Sequence, residues 1–182
     1  MKTHGRYFFA LWPSEPVRQA ISTAARELPS LGRPVPEQNY HITLAFMGDL
    51  SRDKLPELLA VGDAVPAPCG ELILDVFDAF RSARVMFTGP SHVPTWLQEF
   101  RALLVDSLGD AGYIPDRAGE FHPHVTLRRK LPAEWPELPV GPKNAVHWPV
   151  SGYVLMESPL TSGLPYYSLL HSWSHGQIAY TA

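Results

Sequence analysis

The sequence predicts an α+β fold built from two similar halves, with antiparallel strands and helices in each half. Short runs of apolar and β-branched residues, typical of strands, alternate with segments that carry apolar residues at helical spacing. The pattern His-x-Thr-Leu occurs twice, at 41–44 and at 124–127, once in each half. The 19 prolines are spread along the chain and mark many short connections. We therefore predict a single domain over residues 1–182, in which two lobes with outer helices surround a central cleft.

The first half is predicted to alternate strands with helices. Ser14 can cap a helix, and Val17, Ile21 and Leu28 give that helix an apolar face. In chain order, the predicted elements are a strand at 6–12, the helix that Ser14 begins, a proline-rich loop at 29–38, a strand at 40–47, a helix at 51–64, a strand at 71–80 and its hairpin partner at 84–88.

The second half is predicted to follow the same scheme. Residues 94–112 form a helix because their apolar side chains recur at helical spacing, at Trp96, Phe100, Leu103, Leu104 and Leu108. Aromatic and β-branched residues then predict strands at 120–130, 146–156 and 166–174.

Each copy of the repeated pattern places its histidine and threonine on one face of a strand, because side chains alternate between the two faces. His41 and Thr43 share such a face, and so do His124 and Thr126. The apolar residues between and after them point into the core. Two unrelated strands would seldom carry the same polar pair at equivalent positions, so the duplication favours catalysis over a structural role for the histidines.

These residue types suit acid–base chemistry on a phosphodiester. Hydrolysis needs a base that takes a proton from water and an acid that protonates the leaving oxygen. Histidine titrates near neutral pH, so one imidazole can be neutral while the other is protonated. Threonine hydroxyls can donate hydrogen bonds to the non-bridging phosphate oxygens, where charge concentrates in the transition state. This set of residues requires neither a metal ion nor another cofactor.

A metal site is the main chemical alternative. His122 and His124 have a spacing that can bind zinc, but a third ligand is needed. Asp116 and Glu120 are nearby without a recognised spacing, and threonine is a poor zinc ligand. A nucleophilic mechanism has less support, because the single cysteine, Cys69, lies far from both motifs and is expected to be a small buried residue.

Composition limits the partners and the compartment. Apolar residues make up 45% and charged residues 18% of the 182 residues, as in soluble globular proteins. The net charge of −3 is the wrong sign for gripping long nucleic acids, so an RNA substrate would be recognised near one end. A single cysteine excludes an internal disulfide, and no segment is long enough to span a membrane. We expect a cytoplasmic monomer.

The paired motifs, about 80 residues apart, resemble those of the 2H phosphoesterase superfamily. Within it, the chain is most similar to the RNA 2′,3′-cyclic phosphodiesterases, historically called 2′-5′ RNA ligases. The likeness covers nearly the whole chain. It is carried by residues 6–10 (RYFFA), 39–48 (NYHITLAFMG), 121–127 (FHPHVTL) and 155–158 (LMES), and by the segment 166–170.

The resemblance implies a bilobal fold and the opening of a terminal 2′,3′-cyclic phosphate on RNA to give a 2′-phosphate. By family analogy, His41 is the general acid that protonates the departing 3′ oxygen, and His124 is the general base that activates water. Thr43 and Thr126 hold the phosphate. By microscopic reversibility, the same groups would allow weak 2′-5′ ligation of a cyclic-ended RNA to a 5′-hydroxyl.

Two positions of this chain need comment beside the family's usual pattern, one after the opening strand and one after the second motif. The family often carries an acidic residue after the opening strand, where this chain has Trp12 followed by proline. The family also places an arginine five residues after the second histidine, which is Arg129 here. Strict alternation would instead put Arg128 beside His124, and either a bulge or the end of the strand near Leu127 would reconcile the two. We predict Arg129 as a substrate contact.

Phe9 is a further candidate, for stacking on a base. Two other functions remain open at this point. One is a cyclic phosphodiesterase for small nucleotide or ADP-ribose cyclic phosphates, since small substrates need no extended basic track. The other is a module that binds RNA ends without turning them over.

Overall fold

A computed structural model of the chain describes residues 4–115, 121–158 and 167–176. The helices within these ranges are α1 (Glu15–Ala25), α2 (Leu55–Ala64) and α3 (Thr95–Asp110), with short 3₁₀ turns at Glu37–Asn39 and Arg52–Lys54. The strands are β1 (His4–Leu11), β2 (Arg33–Pro34), β3 (Ile42–Ser51), β4 (Gly70–Leu74), β5 (Val76–Phe80), β6 (Val85–Gly89), β7 (Val125–Arg129), β8 (Val146–Val150), β9 (Gly152–Ser158) and β10 (Ser168–Ser174).

Most of the strands form one antiparallel sheet. Its order is β10-β9-β1-β3-β7-β6-β5, and the short strand β2 also pairs with β7. Strands β4 and β8 form a separate antiparallel pair. The predicted α+β class with antiparallel strands is therefore confirmed. In this order the two strands that carry the repeated motif, β3 and β7, are neighbours at the centre of the sheet.

Two predicted strands are each divided between the two sheets. The predicted strand at 71–80 is β4 followed by β5, and the one at 146–156 is β8 followed by β9. The alternation of buried residues changes phase at both breaks: Leu72 and Leu74 are buried before Asp75, and Phe77 after it. A change of phase turns the chain to a different partner, because pairing register and side-chain face are linked. The single-strand predictions were wrong for this reason.

The helices pack against the strands largely as their apolar spacing predicts. Helix α3 contacts β3 and α2, and its buried residues are Leu97, Phe100, Leu104 and Leu108. The predicted face of α3 was rotated slightly, since Leu103 is 46% exposed and Leu97 takes its place in the core. Helix α1 packs against β8 and buries Val17 and Ile21.

Two expectations from composition can be compared with the described residues. Cys69 is exposed, so its predicted burial was wrong; it lies in the segment between α2 and β4. No helix in the described part of the chain is both long and apolar enough to cross a membrane.

The two halves of the main sheet meet at one residue pair. Ile42 of β3 is opposite Val125 of β7, and both side chains are 0% exposed. On one side of this junction lie β1, β9 and β10, and on the other lie β5 and β6. A narrow junction suits two lobes, and the organisation of residues 1–182 as one bilobal domain stays a prediction.

The junction should be sensitive to the loss of a single methyl group. We expect Ile42→Val to lower the free energy of unfolding by about 0.5–1.5 kcal/mol, because it leaves a small cavity in a closely packed core. Ile73→Val is the matched control, since Ile73 is 39% exposed and should lose little. Urea denaturation of both variants measures the difference. Equal losses at the two positions would contradict the importance of the junction.

Candidate active site

A cleft of about 520 Å³ opens beside the junction of β3 and β7. It contains five of the six residues predicted from the sequence, namely both motif histidines, both motif threonines and Arg129. The residues that line it are His41, Thr43, Leu44, Phe46, Phe80, Ala83, Val85, Arg101, Phe121, His122, His124, Thr126 and Arg129. The two copies of the repeated motif thus face one shared space.

The two motif histidines occupy equivalent positions and have the same hydrogen bond. Each directly precedes the first residue of its strand, His41 before β3 and His124 before β7. Nδ1 of His41 is 2.6 Å from the carbonyl oxygen of Asn39, and Nδ1 of His124 is 2.7 Å from that of His122. A carbonyl oxygen can only accept, so each Nδ1–H donates. In both rings Nε2 is therefore the nitrogen that this hydrogen bond leaves unused.

The strand pairing brings each histidine close to the threonine of the other motif. Since Ile42 is opposite Val125 in an antiparallel pair, the positions that flank them are Thr43 with His124 and His41 with Thr126. The two motifs are thereby interleaved rather than separate. One small anion in the cleft can meet both imidazoles and both hydroxyls.

Aromatic rings surround both histidines, but in different geometries. Phe8, Trp12 and Tyr167 contact His41, with ring centroids 5.1, 5.8 and 5.2 Å from that of the imidazole. Phe8 belongs to a small apolar cluster with Ala10, Val154 and Met156, beneath His41. His124 contacts Phe80 at 4.9 Å, edge to face, and Phe87 at 5.1 Å. These contacts fix both rings at the cleft wall.

The surroundings of His41 oppose a positive charge on its imidazole. Burial lowers the pKa of His41 from its ordinary value of 6.5 to about 4. The hydrogen bond to the Asn39 carbonyl acts in the opposite direction, while the positive charges of Arg129 and protonated His124 lower the pKa further. At neutral pH and with no anion in the cleft, His41 is therefore neutral, with its proton on Nδ1.

We expect NMR titration to find His41 neutral at pH 6 in the free protein, with its pKa near 4. Addition of a 2′-phosphorylated mononucleotide should raise this pKa, because a phosphate anion offsets the positive charges that face the ring. Between pH 6.5 and 4, the unfolded chain binds a proton at this residue before the folded chain does. Acidification through that range therefore favours unfolding.

The signal of His41 can be assigned by its loss in His41→Asn. A pKa near 6.5 in the free protein, or no increase when the nucleotide is added, would contradict the electrostatics described for this ring.

Arg129, rather than Arg128, reaches the cleft. On β6, Met86 is opposite Arg128 and the next residue, Phe87, is opposite Thr126, so Leu127 is an extra, bulged residue of β7. The bulge changes the alternation and puts Arg129 on the face of Thr126. Arg128 points away and donates from Nη1 to the carbonyl of Leu31, at 3.1 Å. The bulge suggested by the sequence is therefore present.

The structure contradicts the prediction that Phe9 stacks on a base. Phe9 is 0% exposed and packs against Tyr153 and Trp173 in the main core. Its neighbour Phe8 lies on the opposite face of β1, against His41. Successive side chains of a strand point to opposite faces. On β1 the side chain turned to His41 is that of Phe8, so the side chain of Phe9 points into the main core.

Arg101 is the cleft residue that sequence reasoning missed most clearly. It lies on α3, its Nε–H donates weakly to the carbonyl of Leu44 at 3.5 Å, and its guanidinium is 5.2 Å from the centre of the Phe121 ring. Partial burial lowers the pKa of Arg101. No local motif marks this position, because it depends on the packing of α3 against β3. Phe46, Phe80 and Phe121 also line the cleft without having been predicted.

The zinc site considered from the sequence lies partly outside the residues that the structure describes. Two of its proposed ligands, Asp116 and Glu120, lie outside the described residues. Over residues 4–115, 121–158 and 167–176, no group of three or more His, Cys, Asp or Glu side chains is placed to hold a metal ion. His122 lines the cleft beside His124, and its side chain is exposed.

Comparison with known proteins gives consistent results. The family model for LigT-like phosphoesterases matches residues 11–87. An RNA 2′,3′-cyclic phosphodiesterase of Escherichia coli (strain K12) is 30% identical over 173 residues, which cover 93% of this chain and 96% of the relative. The enzyme of that name from Thermus thermophilus is 33% identical over 181 residues, covering 93% and 89%. A crystal structure of E. coli LigT complexed with 3′-AMP has a TM-score of 0.82 and 29% identity, covering 97% of this chain and 100% of that one.

Proposed function

This chain belongs to the LigT-like phosphoesterase family, and we propose that it hydrolyses the 2′,3′-cyclic phosphate at an RNA end to a 2′-phosphate, without a metal ion. One observation carries the proposal. His41 and His124 line the same cleft, and each has its Nδ1–H bound to a backbone carbonyl, so that Nε2 is the nitrogen left for proton transfer. This is the arrangement that an acid and a base on either side of one phosphate require.

In the proposed reaction, neutral His124 takes a proton from water at Nε2 as the water oxygen attacks phosphorus. The bond between phosphorus and O3′ breaks, and protonated His41 gives its Nε2 proton to O3′. The products are a 3′-hydroxyl and a 2′-phosphate, and the water supplies the atoms added. The two histidines exchange protonation states in one turnover, and solvent restores them.

The acid role of His41 depends on the substrate. Because Nδ1–H is held by Asn39, a neutral His41 has no proton at Nε2, and the ring must become positively charged to act as an acid. With an empty cleft, its lowered pKa disfavours that charge. The bound phosphate carries a negative charge that offsets the charge of Arg129, and His124 is neutral when it acts as the base. Substrate binding and protonation of His41 are therefore coupled, which keeps the acid inactive until the cleft is occupied.

Thr43, Thr126 and Arg129 are proposed to bind the non-bridging oxygens of the phosphate. The two hydroxyls stand beside the histidines at the junction, and the bulge in β7 brings the guanidinium to the same face. Charge builds up on these oxygens when water attacks, so donors fixed in advance stabilise the transition state more than the ground state.

End-group analysis tests the proposal. An oligonucleotide with a 2′,3′-cyclic end is incubated with the protein in the presence of a chelator, and the product is identified by its resistance to a 3′-phosphatase. We expect a 2′-phosphate in undiminished yield. A 3′-phosphate would show that the other bond breaks, and loss of activity in chelator would contradict metal-independent chemistry. Tight product binding without turnover at any pH would favour the non-catalytic alternative.

The cleft size favours a second candidate substrate class, small cyclic nucleotides. A volume of about 520 Å³ lies within the ~300–1,000 Å³ of small-molecule pockets, and the net charge of −3 provides no general attraction for a polymer. Comparing kcat/KM for a cyclic mononucleotide and a cyclic-ended RNA separates the two. Equal values would show that only the terminal nucleotide is recognised. Reverse 2′-5′ ligation, a monomeric state and a cytoplasmic location stay predictions.

A further inference from the structure

Trp12 has a direct contact with the proposed acid. It follows β1, is partly exposed, and stacks on the imidazole of His41 with an angle of 14° between the ring planes and 5.8 Å between centroids. The ring of Tyr167 stands nearly perpendicular to both, at 85° to His41 and 82° to Trp12. The indole thus lies nearly parallel to the imidazole, and the ring of Tyr167 contacts both from the side.

We propose that Trp12 is a positioning residue for His41: its indole fixes the plane of the imidazole and favours the positively charged ring once a phosphate is bound. This inference rests on the proposed function, in which His41 is the acid. A cation within about 6 Å of an aromatic centre, over its face, is attracted by the ring, and tryptophan is the strongest partner. The stacked rings, with centroids 5.8 Å apart, meet the distance condition when His41 becomes protonated.

The charged and titratable groups around His41 do not supply this stabilisation in the empty cleft. Arg129 and His124, on the side of β7, both disfavour a charged imidazole. The hydroxyl of Tyr167 stays neutral at neutral pH, because burial raises its pKa. Only the Asn39 carbonyl, on the chain segment of His41 itself, favours the charge among the interactions that shift this pKa. A neutral aromatic face can therefore assist protonation without competing with the phosphate for Nε2.

The proposed base has different ring contacts. His124 meets Phe80 at 79° and Phe87 at 54°, so these two rings are not stacked parallel on the imidazole. A histidine whose Nδ1–H is held by a carbonyl must carry a positive charge before it donates from Nε2, whereas a histidine that acts as a base starts neutral. The parallel indole at His41 fits the residue that must be charged first. The different ring contacts of His41 and His124 therefore match their different roles as acid and base.

Trp12→Leu and Trp12→Phe test the inference, with Trp96→Leu as the matched control. Trp96 is also partly exposed, but its indole N–H donates to the carbonyl of Glu71 beside the small sheet. Each variant is assayed on a cyclic-ended RNA and on a phosphodiester whose leaving group, 4-nitrophenolate, needs no proton. The pKa of His41 is measured by NMR in the full-length protein with a 2′-phosphorylated mononucleotide bound.

With the cyclic substrate we expect Trp12→Leu to lower kcat by roughly 3- to 30-fold, the range that a cation–π contact provides. Trp12→Phe should lose less, because it keeps an aromatic face. Both variants should retain activity on the nitrophenyl ester, and the pKa of His41 in the nucleotide complex should fall relative to the wild-type protein. Trp96→Leu should change neither kcat on the cyclic substrate nor the pKa of His41. If Trp12→Leu fails to fold, Trp12→Phe carries the test through the same pKa and substrate comparison.

Equal losses on both substrates, or an unchanged pKa of His41, would overturn the role of Trp12. The same assays distinguish a failure of the Trp12 proposal from a failure of the proposed function. If the proposed function itself is wrong, His41→Ala and His124→Ala will be as active as the wild-type protein on the cyclic substrate.

Discussion

Replacing His124 by alanine is expected to lower kcat/KM on cyclic-ended RNA by ~10²–10⁴, and His41→Ala by a similar factor, the usual range for losing a catalytic base or acid. The physical reason is the same for both. Each imidazole can exchange a proton at Nε2, while its Nδ1–H is held by a carbonyl. Initial rates with a labelled cyclic-ended oligonucleotide measure the loss.

His147→Ala is the matched control, because His147 is exposed on β8 and pairs with Glu71 away from the cleft. It should leave the rate unchanged. The double variant of His41 and His124 should be little worse than either single variant, because groups that act as a unit have strongly non-additive effects. Full activity in His124→Ala would end the catalytic interpretation of the repeated motif.

The second large effect is expected at Arg129. Arg129→Gln should lower kcat/KM by about 10- to 100-fold, somewhat less than the loss of an enclosed transition-state donor, because this guanidinium is exposed to solvent. The adjacent arginine provides the control. Arg128→Gln should keep the rate and lower the free energy of unfolding by about 1 kcal/mol, since it loses only the hydrogen bond to Leu31.

Enzyme kinetics and urea denaturation separate the two variants. Arg129→Gln is expected to change mainly the rate, and Arg128→Gln mainly the free energy of unfolding. If Arg128→Gln loses the activity instead, the bulge at Leu127 does not orient β7 as described. That outcome would move the substrate contact to the residue favoured by strict strand alternation.

The central part of the site was predictable because it depends on short-range periodicity. The alternation of side chains along a strand was enough to group His41 with Thr43, and His124 with Thr126. That the two pairs share a cleft was inferred from duplication, and the pairing of Ile42 with Val125 provides the physical means. Element types were predictable for the same reason.

The predictions from sequence were wrong or incomplete at positions whose surroundings are set by tertiary packing. The register of β1 against β3 shifts twice, so alternation alone could not show that Phe8, and not Phe9, is turned to His41. The strand at 71–80 was divided because β4 pairs with β8, a partner more than 70 residues away in sequence. Arg101 reaches the cleft only through the packing of α3, which no local pattern encodes.

The most direct measurement is a crystal structure of this chain with a 2′-phosphorylated mononucleotide bound. If one phosphate lies between the acid and the base, Nε2 of His41 and Nε2 of His124 should both be within ~2.6–3.2 Å of oxygens of that phosphate. The hydroxyls of Thr43 and Thr126 should donate to it as well. A phosphate that contacts only one of the two imidazoles, or that binds outside the cleft, would contradict hydrolysis by a histidine pair.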